Sequence, residues 1–187
     1  VCSDAEIGLN YTVYDESDIL VRNAKIVNAG KQSFCLRKAF SFCVDLPDNN
    51  YKILRMHGAW TRERTPEITD LGHGIVRLQS TCGASSFGIH PFLCLLEQDC
   101  REEKGVCYGV QLVYSGNFAL TAERNSFGTV RLSGGINDEQ FCWEVRSGES
   151  FVTPQALLCY SARGLGELSG GYADLIRERI MNPAFAF

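Results

Sequence analysis

The sequence predicts an all-β fold: an antiparallel β-sandwich with one α-helix at its C-terminal end. Short runs of alternating apolar and polar residues recur from about Tyr11 to Tyr160. Clusters of Gly, Asn, Asp and Pro separate them. After Gly166 the apolar spacing changes from two to that of a helix. Many short strands divided by turn residues indicate a sandwich or barrel.

Each element follows from its own residues. Tyr11 to Tyr14 and Ile19 to Val27 alternate around a turn at Asp15-Glu16-Ser17, and Asn28-Ala29-Gly30 makes the next turn. Phe34 to Leu46 reads as one long strand, closed by Pro47-Asp48-Asn49-Asn50. Tyr51 to Arg64 returns, and Gly74 to Thr81 follows the Asp70-Leu71-Gly72 turn. Phe92 to Leu96 and Val106 to Ser115 flank a charged loop at 97–105. Phe118 to Arg124, Gly128 to Leu132, Gln140 to Arg146 and Phe151 to Tyr160 complete the series. Gly116-Asn117 suits a hairpin corner with positive φ. Ser169 is the expected helix cap. Leu168, Tyr172, Leu175, Ile176 and Ile180 form the packing stripe, with Arg177 and Arg179 in the last turn and Pro183 as the stop. Phe185 and Phe187 make an apolar end that is expected to continue into, or dock on, something else.

At 187 residues, with 45% hydrophobic and 21% charged residues, the chain is long enough for one domain with a real core. Its mean hydropathy of -0.08 argues against disorder. A formal net charge of -4 with no basic stripe gives no electrostatic footprint for nucleic acid. No run approaches the roughly 20 apolar residues of a membrane helix, so no membrane partner is expected.

Nine cysteines form no Cys-x-x-Cys pair, and His57, His73 and His90 stand at no metal-ligand spacing with them. Neither a metal nor another cofactor is therefore expected. Cys43 and Cys94 lie in apolar strand contexts and read as small buried hydrophobes. Cys100, in an acidic loop, is the candidate for an exposed thiol. An odd number of unpaired thiols suits a reducing cytoplasm.

The stretch Gly58-Ala59-Trp60-Thr61-Arg62-Glu63-Arg64 is the most informative for function. As an extended strand it would point Trp60, Arg62 and Arg64 to one side. An aromatic ring beside two guanidinium forks suits a sugar or a carboxylate. A structural alternative is an edge strand whose arginines pair with nearby carboxylates. Elsewhere the carboxylates make poor catalytic pairs. Asp45 and Asp48 flank a turn proline, and Glu97, Asp99, Glu102 and Glu103 crowd one loop. No nucleophile elbow and no phosphate-binding glycine loop is present.

Further motifs follow in order: Ser85-Ser86, Pro91-Phe92, Tyr108-Gly109, Tyr114-Ser115-Gly116-Asn117-Phe118, Gly135-Ile136-Asn137, Phe141-x-Trp143, Gly148-Glu149-x-Phe151-x-Thr153-Pro154 and Tyr160-Ser161. This set resembles the N-terminal β-sandwich domain of the microbial α-galactosidases of glycoside hydrolase family 36. The resemblance runs from about Tyr11 to the C-terminus. It departs at Cys82 and Phe87, where the family usually has arginine and histidine, and at His90, where it usually has asparagine.

The resemblance implies a galactose-mutarotase-like supersandwich over 1–165, incomplete at its N-terminus. Residues 166–187 would be a helix and linker toward a catalytic (β/α)₈ barrel that supplies both catalytic aspartates. The chain would then be an excised, non-catalytic piece of a retaining α-galactosidase. Its expected partners are that barrel, a homo-oligomer and, in the full enzyme, an α-galactoside. The family's sugar-facing arginine maps to Arg62 or Arg64, with Arg62 preferred and Trp60 beside it. Two other readings stand. One is an autonomous carbohydrate-binding module using Trp60, Trp143 and Tyr114, although alternation places Phe141 and Trp143 toward the core. The other is a mutarotase-like enzyme, by fold analogy alone.

Overall fold

The computed structural model describes residues 4–85 and 88–181. The readings made for Ser86, Phe87, Pro183, Phe185 and Phe187 lie outside them. Fourteen strands among the described residues make three sheets. They are β1 (Ala5–Tyr14), β2 (Ile19–Asn28), β3 (Phe34–Leu36), β4 (Phe40–Pro47), β5 (Lys52–Ala59), β6 (Arg62–Asp70) and β7 (Gly74–Gln79), followed by β8 (Ile89–Leu96), β9 (Cys107–Val113), β10 (Phe118–Arg124), β11 (Thr129–Ile136), β12 (Trp143–Val145), β13 (Ser150–Val152) and β14 (Gln155–Ser161). The large sheet has the order β1-β2-β14-β9-β8-β5-β6, with β13 also pairing β2. A four-stranded sheet, β4-β11-β10-β7, faces it, and β3 pairs β12 apart from both. Every strand pair is antiparallel.

The sandwich core lies between the two larger sheets. Leu93, Leu95, Val110, Leu112 and Ala156 of the large sheet meet Phe42, Phe118, Leu120, Val130 and Leu132 of the small one. The opposite face of the same central strands carries a second core. There Phe92, Cys94, Leu96, Cys107, Leu157 and Cys159 meet Leu168, Tyr172 and Leu175 of helix α1 (Leu165–Leu175). Burying each of these three helix side chains is worth roughly 2 kcal/mol before entropy. The Tyr172 hydroxyl donates to the Leu157 carbonyl at 3.1 Å, and its ring meets Phe92 edge-on.

Several sequence expectations are corrected. The long strand from Phe34 to Leu46 is two strands in different sheets. Charged Arg37-Lys38 interrupts it, and Lys38 turns to Asp138 at 3.9 Å. Tyr51 to Arg64 is one arm and part of the next of a hairpin, not a single strand. Cys43 is exposed because its position on β4 faces away from the core. Cys100 is buried, and burial pushes its thiol up to about 12. Cys35 and Cys142 form a disulfide, so the thiols are not all unpaired. Neither Gly116 nor Asn117 has positive φ.

Ser169 is not the helix cap. The helix starts at Gly164, whose φ of 92° suits glycine. Loop carbonyls replace a capping side chain: Leu165 N–H donates to Arg101 O at 3.0 Å and Gly166 N–H to Glu102 O at 2.8 Å. After Leu175 the chain continues as a π-helical turn, Ile176–Ile180, where Ile176 and Ile180 are exposed.

No helix among the described residues is long and apolar enough to cross a membrane.

Two tests follow from the helix seat. A Cβ at Gly109 would lie 3.0 and 3.1 Å from the Leu168 methyls and 3.2 Å from the Tyr172 hydroxyl. Gly109→Ala is therefore expected to destabilise by about 1–3 kcal/mol, read from the urea midpoint; an unchanged midpoint contradicts the packing. Glu167 is held down to about 2, first by Arg163 and then by Ser161, whose hydroxyl donates to it at 2.7 Å. Its unfolded value is about 4.3. Its stabilisation is thus complete above about pH 4.3 and is lost as pH falls toward 2. Glu167→Gln should flatten that part of the acid-unfolding curve, and an unaltered curve contradicts the assignment.

Candidate functional site

The Trp60 stretch folds into the tip of the β5–β6 hairpin. Ala59 pairs with Arg62, so Trp60 and Thr61 form a two-residue turn. Thr61 has a φ of 66°, and the Glu63 carboxylate accepts its N–H at 3.1 Å. Arg64 follows with a φ of 59°, a left-handed conformation unusual for a side-chain-bearing residue. The register also shifts between His57 and Ala59. These breaks cancel strand alternation, so the expectation that Trp60, Arg62 and Arg64 share one strand face does not hold. Non-glycine residues in such conformations cluster at functional positions.

The three candidate side chains have different surroundings. Trp60 is 80% exposed at the tip. Neither Arg62 nor Arg64 has a side-chain hydrogen bond or ion pair among the described residues. The paired-arginine alternative is met instead by Arg55, which grips Glu67 with two bonds of 2.9 Å. Arg64, but not Arg62, lines a groove of about 1000 Å³. His90, Tyr114, Tyr172, Ile176 and Ile180 are among its other walls. Burial, and next the Arg64 charge, depress the His90 pKa and favour neutral imidazole. His90 Nδ1 is buried with no hydrogen-bond partner among the described residues.

Three of the carboxylates weighed as catalytic candidates, Asp45, Asp48 and Glu97, hold other partners. Asp45 is bound by Arg131 through two 2.7 Å bonds, which hold its carboxyl below the usual range. Asp48 is bonded to Arg124 at 2.7 Å, and Glu97 accepts from Asn49 at 2.9 Å. His57 does approach Glu67, at 3.9 Å, but Arg55 already occupies that carboxylate. Among the described residues no cluster of three or more His, Cys, Asp or Glu is arranged to hold a metal.

The module platform is not assembled as expected either. Trp143 is 52% exposed rather than in the core, tilted against Phe151 with ring centroids 5.4 Å apart. Tyr114 lines a cleft with Trp143, while Trp60 lines neither that cleft nor the groove. Asn117 has a structural use: its Oδ1 accepts from Gly83 N–H at 2.7 Å. Sequence reasoning noted His90 only as a departure from the family pattern and put Ile176 and Ile180 on the packing stripe, whereas all three line the groove. The break at Leu175 that turns the two isoleucines outward leaves no sequence signature.

Comparison with known proteins agrees with this architecture. The model of the glycosyl hydrolase family 36 N-terminal domain matches residues 1–146. Alpha-galactosidase AgaA of Geobacillus stearothermophilus is 39% identical over 180 residues, which are 96% of this chain and 25% of that protein. The bifunctional alpha-galactosidase/sucrose kinase AgaSK of Mediterraneibacter gnavus is 38% identical over 98% of this chain and 20% of its own length. A crystal structure of an AgaA variant with raffinose superposes with a TM-score of 0.95 at 39% identity, covering 97% of this chain and 25% of that one. The chain spans about a quarter of the length of such relatives. It belongs to the glycosyl hydrolase family 36 N-terminal domain family.

Proposed function

We propose that this chain is the non-catalytic sandwich of a retaining α-galactosidase acting on terminal, raffinose-type α-galactosides. One observation carries the reading: the chain matches the family's N-terminal domain and only a quarter of the length of its α-galactosidase relative. Glycoside hydrolysis needs a pair of facing carboxyl groups. In this reading a catalytic (β/α)₈ barrel elsewhere in the polypeptide supplies that pair. The sandwich packs against that barrel, completes the rim of its active site and helps to build a homo-oligomer. In this reading residues 1–165 are the sandwich, and 166–187 lead toward the barrel.

Trp60 and Arg62 stand at the exposed hairpin tip and Arg64 in the groove beside it. The tip suits a sugar: the indole stacks on C–H faces, and the free guanidinium donates to hydroxyls. Arg62 is the preferred sugar contact, with Arg64 the second candidate. The cytoplasmic placement rests on the six free thiols of the described residues, with the Cys35–Cys142 disulfide weighing the other way.

The alternative, an autonomous carbohydrate-binding module, is favoured by one feature, the exposed Trp143 beside Phe151. Calorimetric titration of this chain with galactose and raffinose separates the two. Millimolar or tighter binding supports the module.

In the full-length enzyme, Arg62→Ala is expected to lower kcat/KM on raffinose about tenfold or more, as befits a lost charged hydrogen bond of about 1.5–3 kcal/mol. An unchanged kcat/KM in both Arg62→Ala and Arg64→Ala removes the sugar-facing role. The 187-residue chain alone should hydrolyse no α-galactoside, and turnover by the pure chain contradicts the non-catalytic assignment.

A further inference from the structure

Two breaks in strand geometry bracket Arg62 at the β5–β6 hairpin. Thr61 before it has a φ of 66°, and Arg64 beyond it a φ of 59°. Two-residue hairpin turns usually place positive φ at the first central residue or at both. Here only the second, Thr61, has it, and threonine is β-branched. Such a residue suits the left-handed region poorly and stays there only where its surroundings hold it.

The register then adds a bulge. Ala59 pairs with Arg62 and His57 with Thr65, so Gly58 alone faces both Glu63 and Arg64. A bulge of this kind bends a strand and re-aims its side chains. Arg62 therefore sits between a left-handed turn residue and a bulge. Its direction is set by whatever fixes those two breaks.

Two side-chain bonds fix them. The Glu63 carboxylate accepts the Thr61 N–H at 3.1 Å. The Thr65 hydroxyl donates to the Arg62 carbonyl at 3.3 Å. The Glu63 bond is the shorter, and its acceptor is charged. It has a second consequence. Glu63 lies between two arginines in sequence, and a carboxylate there readily closes on a guanidinium fork. Turned back onto the Thr61 amide, it pairs with neither Arg62 nor Arg64 among the described residues. Both forks keep their donors open to a ligand.

We propose that Glu63 is a positioning residue for the sugar contact. It locks the Trp60–Thr61 turn, so that Arg62 is presented in one direction, and it keeps its own charge off the guanidinium. This inference rests on the reading that Arg62 meets the galactoside in the full-length enzyme. The role needs an acceptor oxygen at the Thr61 amide rather than a negative charge, and a glutamine supplies that oxygen.

The test is a double-mutant cycle in the full-length enzyme, read as kcat/KM on raffinose. Glu63→Ala is expected to cost about five- to tenfold, no more than Arg62→Ala itself. Glu63→Gln should stay within about threefold of the parent, because its amide oxygen still accepts the Thr61 N–H. Adding Glu63→Ala to Arg62→Ala should cost less than about twofold more, since nothing is left to position. In the same protein, hydrogen exchange at the Thr61 amide should quicken at least about threefold in Glu63→Ala but not in Glu63→Gln. An unchanged kcat/KM in Glu63→Ala, an equal loss in Glu63→Gln or a full further loss on top of Arg62→Ala each overturns the proposal. So does an unaltered Thr61 amide. If Arg62→Ala is costly and Glu63→Ala is not, the sugar contact stands and only the positioning role fails. If Arg62→Ala leaves kcat/KM unchanged, the contact at Arg62 fails and the positioning role falls with it.

Discussion

The double-sided burial of strands β8, β9 and β14 is the constraint on which the rest of this structure depends. Every residue from Pro91 to Leu96 is buried. Leu93 and Leu95 face the sandwich core, while Phe92, Cys94 and Leu96 face the helix core. A strand covered on both sides must be apolar at successive positions. It also ties the two cores together, because no residue of this wall shifts without disturbing one or the other. Cys94 and Cys159 fit this role. Burial raises Cys94 first of all and pushes Cys159 up to about 12, so these are small packing groups rather than nucleophiles.

The candidate site is a consequence of where the wall ends. Strand β5 pairs with β8 and then turns at Trp60-Thr61 into the edge strand β6. The hairpin tip therefore projects from a rigid support while carrying two left-handed residues and two guanidiniums with no side-chain partner among the described residues. The groove beside it is bounded by the opposite end of the chain, where α1 leaves its seat on the wall and turns Ile176 and Ile180 outward. Polar groups and exposed aliphatic side chains thus meet on one surface. Such a surface suits packing against another domain near a polar ligand.

Much of the fold was legible because strand alternation and turn chemistry are local signals. Phe118–Arg124 emerged with the predicted bounds, and the Pro47–Asn50 turn appears with Asn50 in a left-handed conformation. What was not legible depends on tertiary partners. The helix start is capped by the carbonyls of Arg101 and Glu102, so no capping side chain marks it in sequence. The separation of β3 from β4 depends on which sheet each joins. The site was legible in residue type but not in geometry. Trp60, Arg62 and Arg64 do gather at one hairpin, yet the turn at Thr61 and the conformation of Arg64 send them to different surroundings.

Native-state hydrogen exchange across β8, β9, β14 and α1 tests most directly whether the doubly covered wall couples the two cores. Amides of β8, β9 and β14 are expected to exchange slowest, only through global unfolding, with the buried face of α1 opening at nearly the same free energy. Exchange in two separate classes, with the helix core opening several kcal/mol before the sandwich core, would contradict a shared wall.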